Sequence, residues 1–257
     1  RTRNAANASS ASEVSGVASR SEKVQIVGSR VFITGTGKVL GRVRAQRFLQ
    51  AEWRVFAGRY SPSCGVVNDA ARGNGMLTEV LLDVTALESV REAARIVSTY
   101  NDSIDVLVNN AAVLSMSDGV LEEMDFGQVM QTIDVNACGP LWVVQQFLPL
   151  LQDGHVKLIV NMSSEAGSIQ DCERTARYGY RMSKVALNMQ SRILANYLAP
   201  QDFRVVAVHP GGMKTDMLPR CTRNPGEAAE SIYALVDNPD IAAGELFVQF
   251  DGTALHF

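Results

Sequence analysis

A doubly wound parallel α/β sheet in a single domain is the fold the sequence predicts, and three observations predict it. Short apolar runs alternate with helical patterns along most of the chain, and such alternation packs as a parallel sheet with helices on both faces. The apolar runs are continuous, Ile104 to Val108 being the plainest, as in strands buried on both sides. The first run, Arg30 to Ile33, leads through Thr34-Gly35-Thr36-Gly37-Lys38-Val39-Leu40-Gly41 into a helix. Strand, glycine-rich turn and helix form the context in which backbone N–H groups and a helix N-terminus receive a pyrophosphate.

The 257 residues suffice for one domain with a sizeable core, and 46% hydrophobic with 20% charged residues is ordinary for a globule. A net charge of −3 with no basic cluster argues against nucleic acid as a partner. No apolar run approaches the ~20 residues that span a bilayer. Four separated cysteines without a Cys-x-x-Cys, and three histidines, make neither a disulfide framework nor a metal site. A reducing, cytoplasmic compartment fits this cysteine usage.

Residues 1–23 are rich in Ser, Ala, Asn and Arg without hydrophobic periodicity and read as a disordered tail. An Arg/Ser-rich, acid-poor leader also resembles an organelle transit peptide, which is the second reading. The domain is expected over 24–257. Its first helix runs from the glycine-rich turn to about Ala51. A second strand, Trp53 to Ala57, ends in Gly58-Arg59-Tyr60. An acidic residue at that end holds a ribose 2′-OH, whereas Arg accommodates a 2′-phosphate. Arg59, with Lys38 in the turn, therefore favours NADP(H) over NAD(H).

Residues 61–75 read as loop with little helix. Leu77 to Leu82 is a strand ending in Asp83-Val84, and Ala86 to Tyr100 is a helix by the spacing of Val90, Ala93, Ala94 and Val97. Ile104 to Val108 runs into Asn109-Asn110-Ala111-Ala112. Leu121 to about Leu151 holds a long helix with Asn136 in its middle. Asn is locally unfavourable there, so it is either a functional group holding a water or a tolerated solvent-facing residue. Leu158 to Met162 is a strand ending in Ser163-Ser164, and a helix carrying Tyr180 and Lys184 runs to about Tyr197. Phe203 to Val208 is a strand ending in His209-Pro210-Gly211-Gly212-Met213-Lys214-Thr215. A helix over Gly226 to Val236 and a strand over Glu245 to Gln249 close the domain.

Tyr180 and Lys184, at i and i+4, share one helical face, and a serine at a strand end can face them. A tyrosine titrates near ~10, a nearby ammonium lowers that value, and a serine can donate to the same oxygen. That trio suits general acid chemistry on a carbonyl oxygen. Tyr-x-x-x-Lys alone is a weak signal.

These pieces in this order resemble the short-chain dehydrogenase/reductase family over about residues 24–257. Asn161 to Asn188, with Tyr180-Arg-Met-Ser-Lys-Val-Ala-Leu-Asn188, and His209 to Met217 are most similar to its sniffer-type, or C-factor-like, carbonyl reductases. Gly244-Glu-Leu-Phe247 followed by Asp251-Gly252 is similar too. The resemblance implies a Rossmann-type domain that reduces small aldehydes, ketones or quinones with NADPH. Tyr180 would be the general acid, Lys184 would lower its pKa and bind the nicotinamide ribose, and Ser164, rather than Ser163, would polarise the carbonyl. Asn136 would hold a water linking Lys184 to solvent. Gly35, Gly37, Lys38, Leu40 and Gly41 of the turn, with Arg59, would bind the cofactor. Asp83 and Val84 would flank the adenine, and Asn110 would line the cleft. Beside Pro210 and Gly211, Thr215 would fix the carboxamide. Similar enzymes pair as homodimers or homotetramers through helix faces such as Leu121–Leu151 and Tyr180–Tyr197.

Three positions depart from the family pattern. Val39 stands where a glycine lets backbone approach the pyrophosphate; it would hinder that approach or pack into the core beneath. Ala112 replaces the glycine of Asn-Asn-Ala-Gly, and Gly212 replaces a large aromatic, widening the substrate cleft. Two other functions compete with carbonyl reduction. One is alcohol oxidation by the same residues, the other a non-catalytic nucleotide-binding or sensor protein, which need not keep Asn136, Ser164, Tyr180 and Lys184 in register.

Overall fold

The computed structural model describes residues 28–64, 67, 69–115, 120–212, 224–238 and 244–257. The expected tail, the domain boundary at residue 24, Thr215 and the loop around Met213 lie outside the described residues. Among those described, seven parallel strands form one sheet in the order β3-β2-β1-β4-β5-β6-β7. They are β1 (Arg30–Ile33), β2 (Arg54–Arg59), β3 (Leu77–Leu81), β4 (Val106–Asn109), β5 (Leu158–Met162), β6 (Arg204–His209) and β7 (Phe247–Gln249). The predicted sheet is thus the observed one, with strand ends displaced by one or two residues.

Two apolar layers sandwich the sheet. On one face α1 (Val39–Gln50) and α7 (Pro225–Asp237) pack over Val31, Val55 and Val160 through Phe48, Ile232 and Val236. On the other, α3 (Leu87–Tyr100) and α5 (Gly139–Gln152) cover Phe32, Leu107 and Ile159 through Val90, Val97 and Phe147. Phe32 and Phe147 meet at 4.2 Å between ring centroids. Burial on both faces is why these strands carry unbroken Val, Ile and Phe instead of alternating polar residues. A five-residue helix, α2 (Asp69–Gly73), is the little helix allowed between β2 and β3. Among the described residues no helix is long and apolar enough to cross a membrane.

The sheet order places β1 between β2 and β4. The chain winds outward from β1 to β3, then returns to β4 and winds the other way. A crevice opens where the winding reverses, beyond the carboxyl ends of the strands.

The long helix expected from Leu121 is not continuous. Leu121–Glu123 forms a single 3-10 turn, and α4 (Phe126–Ile133) begins afresh at Asp125, whose carboxylate accepts from the Gly127 N–H at 2.8 Å. Between α4 and α5 the backbone widens into a π turn, Asp134–Cys138, centred on Asn136. Pro140 explains the widening: it has no N–H for the Asn136 carbonyl four residues earlier, and its ring would collide with that carbonyl in a regular α-helix. The last long helix before β6 is α6 (Tyr178–Leu198).

Candidate active site

A cleft of about 1180 Å³ lies over the carboxyl ends of β1, β4, β5 and β6. Its size suits a dinucleotide with a small second molecule beside it. One wall is built from β5, the turn after it and α6. Ser164 ends the extended segment after β5 and accepts from the Ala166 N–H at 3.2 Å, which fixes its side chain. Tyr180 and Lys184 both line the cleft from α6, as their spacing requires. Ser164 shares a hydrogen bond with the Tyr180 hydroxyl. Ser163 also lines the cleft, but its hydroxyl donates to Asn188 Oδ1 at 2.6 Å. Of the two serines, Ser164 is the one that meets Tyr180.

Electrostatics at this wall differ from the sequence-based expectation. Burial pushes the Tyr180 phenol above its ordinary value, opposed by the Ser164 hydrogen bond and the positive charge of Arg177. Lys184 is engaged elsewhere. Its Nζ donates to the Met162 carbonyl at 2.7 Å and stands 5.6 Å from the Tyr180 ring centroid. Burial of its ammonium, only 2% exposed, lowers Lys184 to about 7.

Asn136 is buried, which removes the reading that it faces solvent. Its side-chain amide donates to the Val113 carbonyl at 2.9 Å and to Ser183 Oγ at 3.1 Å, and its oxygen accepts from the Val113 N–H at 2.8 Å. Ser183 in turn donates to the Tyr180 carbonyl at 2.7 Å. The side chain thus clamps the loop after β4 to the Tyr180 helix. Pro140 denies the Asn136 main-chain carbonyl the N–H that a regular α-helix would offer it.

The opposite wall is the glycine-rich turn and α1. Gly35, at φ +71°, sits so close to the loop after β4 that a Cβ there would come within 2.7 Å of Ala111 Cα. Thr34 Oγ1 accepts from the Asn110 and Ala111 N–H groups, each at 2.9 Å, and Asn110 Nδ2 donates to the Thr34 carbonyl at 2.7 Å. The turn and Asn110 hold one another in place. Gly35, Gly37, Lys38, Leu40, Gly41, Asn110, Pro210 and Gly211 all line the cleft, as expected. Asp83 and Val84 line it too, with Asp83 Oδ1 fixed by the Thr85 N–H and hydroxyl at 2.9 and 2.7 Å.

Whether a dinucleotide fits this wall can be tested on its backbone donors. Helix α1 starts at Lys38 with no capping side chain and no acid in its first turn. Its first residues line the cleft, and among the described residues their N–H groups have no acceptor, as an anion site requires. Val39 is the first helical residue, 43% exposed along the cleft, so it does not pack into the core beneath. Its φ is not positive; a glycine there would offer space alone. The residues fit a pyrophosphate, with the Val39 side chain exposed at its edge.

Arg59 stands at the end of β2, and its guanidinium donates from Nη1 to the carbonyls of Pro62 and Cys64 at 2.9 and 3.1 Å. It does not line the cleft; Lys38, Tyr60 and Cys64 do. Two residues at the site escaped the sequence. Ser183 lies between Tyr180 and Lys184, and only contact with Asn136 shows its use. Arg44 lines the cleft from the buried face of α1. The signal available for it was an arginine three residues after Gly41, on the helical stripe of Gly41, Ala45 and Phe48.

The family model for short chain dehydrogenase matches residues 29–225. The C-signal of Myxococcus xanthus is 33% identical over 151 residues, 58% of this chain and 90% of that protein. The NADPH-bound carbonyl reductase from chicken fatty liver has a similar structure, with a TM-score of 0.80 at 26% identity, covering 90% of this chain and 100% of that one. The carbonyl reductase Sniffer of D. melanogaster gives a TM-score of 0.81 over the same shares at 23% identity, a likeness of fold.

Proposed function

The chain belongs to the short-chain dehydrogenase family, and we propose that within it the protein is an NADPH-dependent reductase of small aldehydes, ketones or quinones. One observation carries the proposal: the Ser164–Tyr180 hydrogen bond faces a cleft whose other wall is the uncapped N-terminus of α1. The chicken enzyme of similar structure is a carbonyl reductase that binds NADPH, which supports the same cofactor here, with NADH the weaker one.

NADPH would supply the hydride, held by the glycine-rich turn, the first N–H groups of α1, Asn110 and Lys184. Ser164 and Tyr180 orient the substrate carbonyl by donating to its oxygen. Tyr180 gives that oxygen its proton; burial keeps the phenol protonated but makes it a weaker acid than a free tyrosine, a cost that the Ser164 hydrogen bond and the Arg177 charge oppose. Lys184, near 7, can carry a proton at neutral pH, and the Asn136 carbonyl anchors the route by which solvent replenishes it. The same groups run the alcohol-oxidising direction in reverse, with Tyr180 as base.

Exposed apolar side chains on α4 and α6, among them Phe126, Met130, Met189, Ile193 and Tyr197, support pairing of subunits as a homodimer or homotetramer. The free Cys64, Cys138 and Cys172 suit a reducing, cytoplasmic setting.

NADPH consumption against a panel of aldehydes, ketones and quinones tests the proposal. Turnover that disappears in Tyr180→Phe is the expected result. NADPH binding with no turnover on any member, and NADP-dependent oxidation of the matching alcohols, establishes the dehydrogenase. Binding with neither reaction leaves a nucleotide sensor.

A further inference from the structure

We propose that Arg44 is a further cofactor-binding residue of this chain, a buried counter-charge for the dinucleotide pyrophosphate set behind the glycine-rich turn. The proposal rests on the cofactor reading above. Arg44 is 1% exposed, yet its side chain forms part of the cleft wall. Its Nη1 donates to Asn110 Oδ1, while Nε and Nη2 have no partner among the described residues. No acid pairs with it among the described residues. Burial lowers the guanidinium to about 9, so it is a cation at neutral pH. A buried cation with two unsatisfied donors is costly to keep unless something else satisfies it.

Position selects the ligand group. The anchor of Arg44 is Asn110, the residue that also grips the Thr34 and Gly35 carbonyls. This places the guanidinium at the β1/β4 reversal, beside the uncapped first turn of α1, where a pyrophosphate meets the helix. Lys38 and Arg59, the candidates for a 2′-phosphate, belong to the turn and to the end of β2 instead. A planar guanidinium with two adjacent donors matches a phosphate's oxygens. It also answers the encumbrance of Val39, five residues earlier on the same helix: charge-assisted bonds from Arg44 offset the backbone approach that the valine obstructs.

The test uses the full chain, with Arg44→Met and Arg44→Lys, titrated with NADPH, adenosine 2′-monophosphate and inorganic pyrophosphate, and a thermal melt of each protein alone. The expected outcome is a loss of NADPH affinity in Arg44→Met of about ten- to hundredfold, the scale of one or two charge-assisted hydrogen bonds. Pyrophosphate binding should fall in parallel, and adenosine 2′-monophosphate should bind as to wild type. Arg44→Lys should recover part of the loss. Without ligand, Arg44→Met should melt at or above the wild-type temperature, because an unpaired buried charge has gone. NADPH affinity within twofold of wild type would falsify the assignment. So would equal losses for all three ligands with a lowered melt, or a variant too unstable to purify, since either makes Arg44 a strut for Asn110. Wild-type binding of pyrophosphate but not NADPH keeps the anion site and overturns the reductase; binding of neither overturns both.

Discussion

The two walls of the cleft are finished to different degrees. On the β5–α6 wall nearly every polar side chain has its partner: Ser163 with Asn188, Asn136 with Val113 and Ser183, Lys184 with the Met162 carbonyl. On the β1–α1 wall the helix N-terminus is uncapped, Arg44 keeps two bare donors, and Arg59 is folded onto its own loop. The contrast teaches that one wall is organised before any ligand arrives, while the other is organised for an anion. Groups that act in a transition state gain from fixed positions and fixed dipoles. Groups that grip a charged cofactor need donors left open to receive it.

The largest expected effect lies on the finished wall. Tyr180→Phe should lower kcat by about 10²–10⁴-fold, the usual scale of general acid catalysis, with NADPH affinity little changed in a calorimetric titration. Near-normal turnover would show that the proton comes from elsewhere and that the wall's order serves only the fold.

Lys184 sharpens the comparison through pH. Its folded value near 7 lies below the ~10.4 of an unfolded lysine. Below pH 7 both states hold the proton, and the buried ammonium costs stability. Between about 7 and 10.4 the unfolded chain binds more protons, so stability should rise with pH across that window. Urea midpoints should follow this rise in wild type and lose it in Lys184→Met. Equal slopes would mean that the ammonium is not strained by burial.

Smaller effects belong to the open wall. If Arg59 releases the Pro62 and Cys64 carbonyls for a 2′-phosphate, Arg59→Asp should weaken NADPH by about tenfold relative to NADH, one charge-assisted contact. If it serves only the loop, fluorescence titration will show the NADPH/NADH ratio unchanged while the melting temperature falls. Val39→Gly should tighten NADPH binding by severalfold, because the valine is exposed along the cleft. It should lower the melting temperature slightly, a glycine in a helix costing up to about 1 kcal/mol. Equal or weaker binding by calorimetry would place the pyrophosphate away from Val39.

Much of the site was legible because its signals are local. Tyr180 and Lys184 share a helical face by spacing alone, and the glycine-rich turn follows β1 in an order that only a parallel α/β sheet repeats. The break at Asn136 was hidden in plain view: Pro140, four residues on, removes the donor that a continuous helix requires, a backbone consequence that hydrophobic periodicity does not register. Arg59 was placed correctly on its strand, but its direction depended on carbonyls presented by the following loop.

The alternation of continuous apolar runs with amphipathic helices determined the doubly wound sheet by itself, because strands buried on both faces and helices buried on one leave periodicities that no contact is needed to reveal. Tertiary structure alone decided the charge states and commitments within the cleft. Lys184 is near 7 because α6 presses its ammonium against β5, Asn136 is a clamp because Val113 and Ser183 converge on it, and Arg44 is a bare buried cation because Asn110 meets only one of its nitrogens. Desolvation and hydrogen-bond satisfaction are properties of surroundings assembled from distant parts of the chain, so no single stretch of sequence carries them.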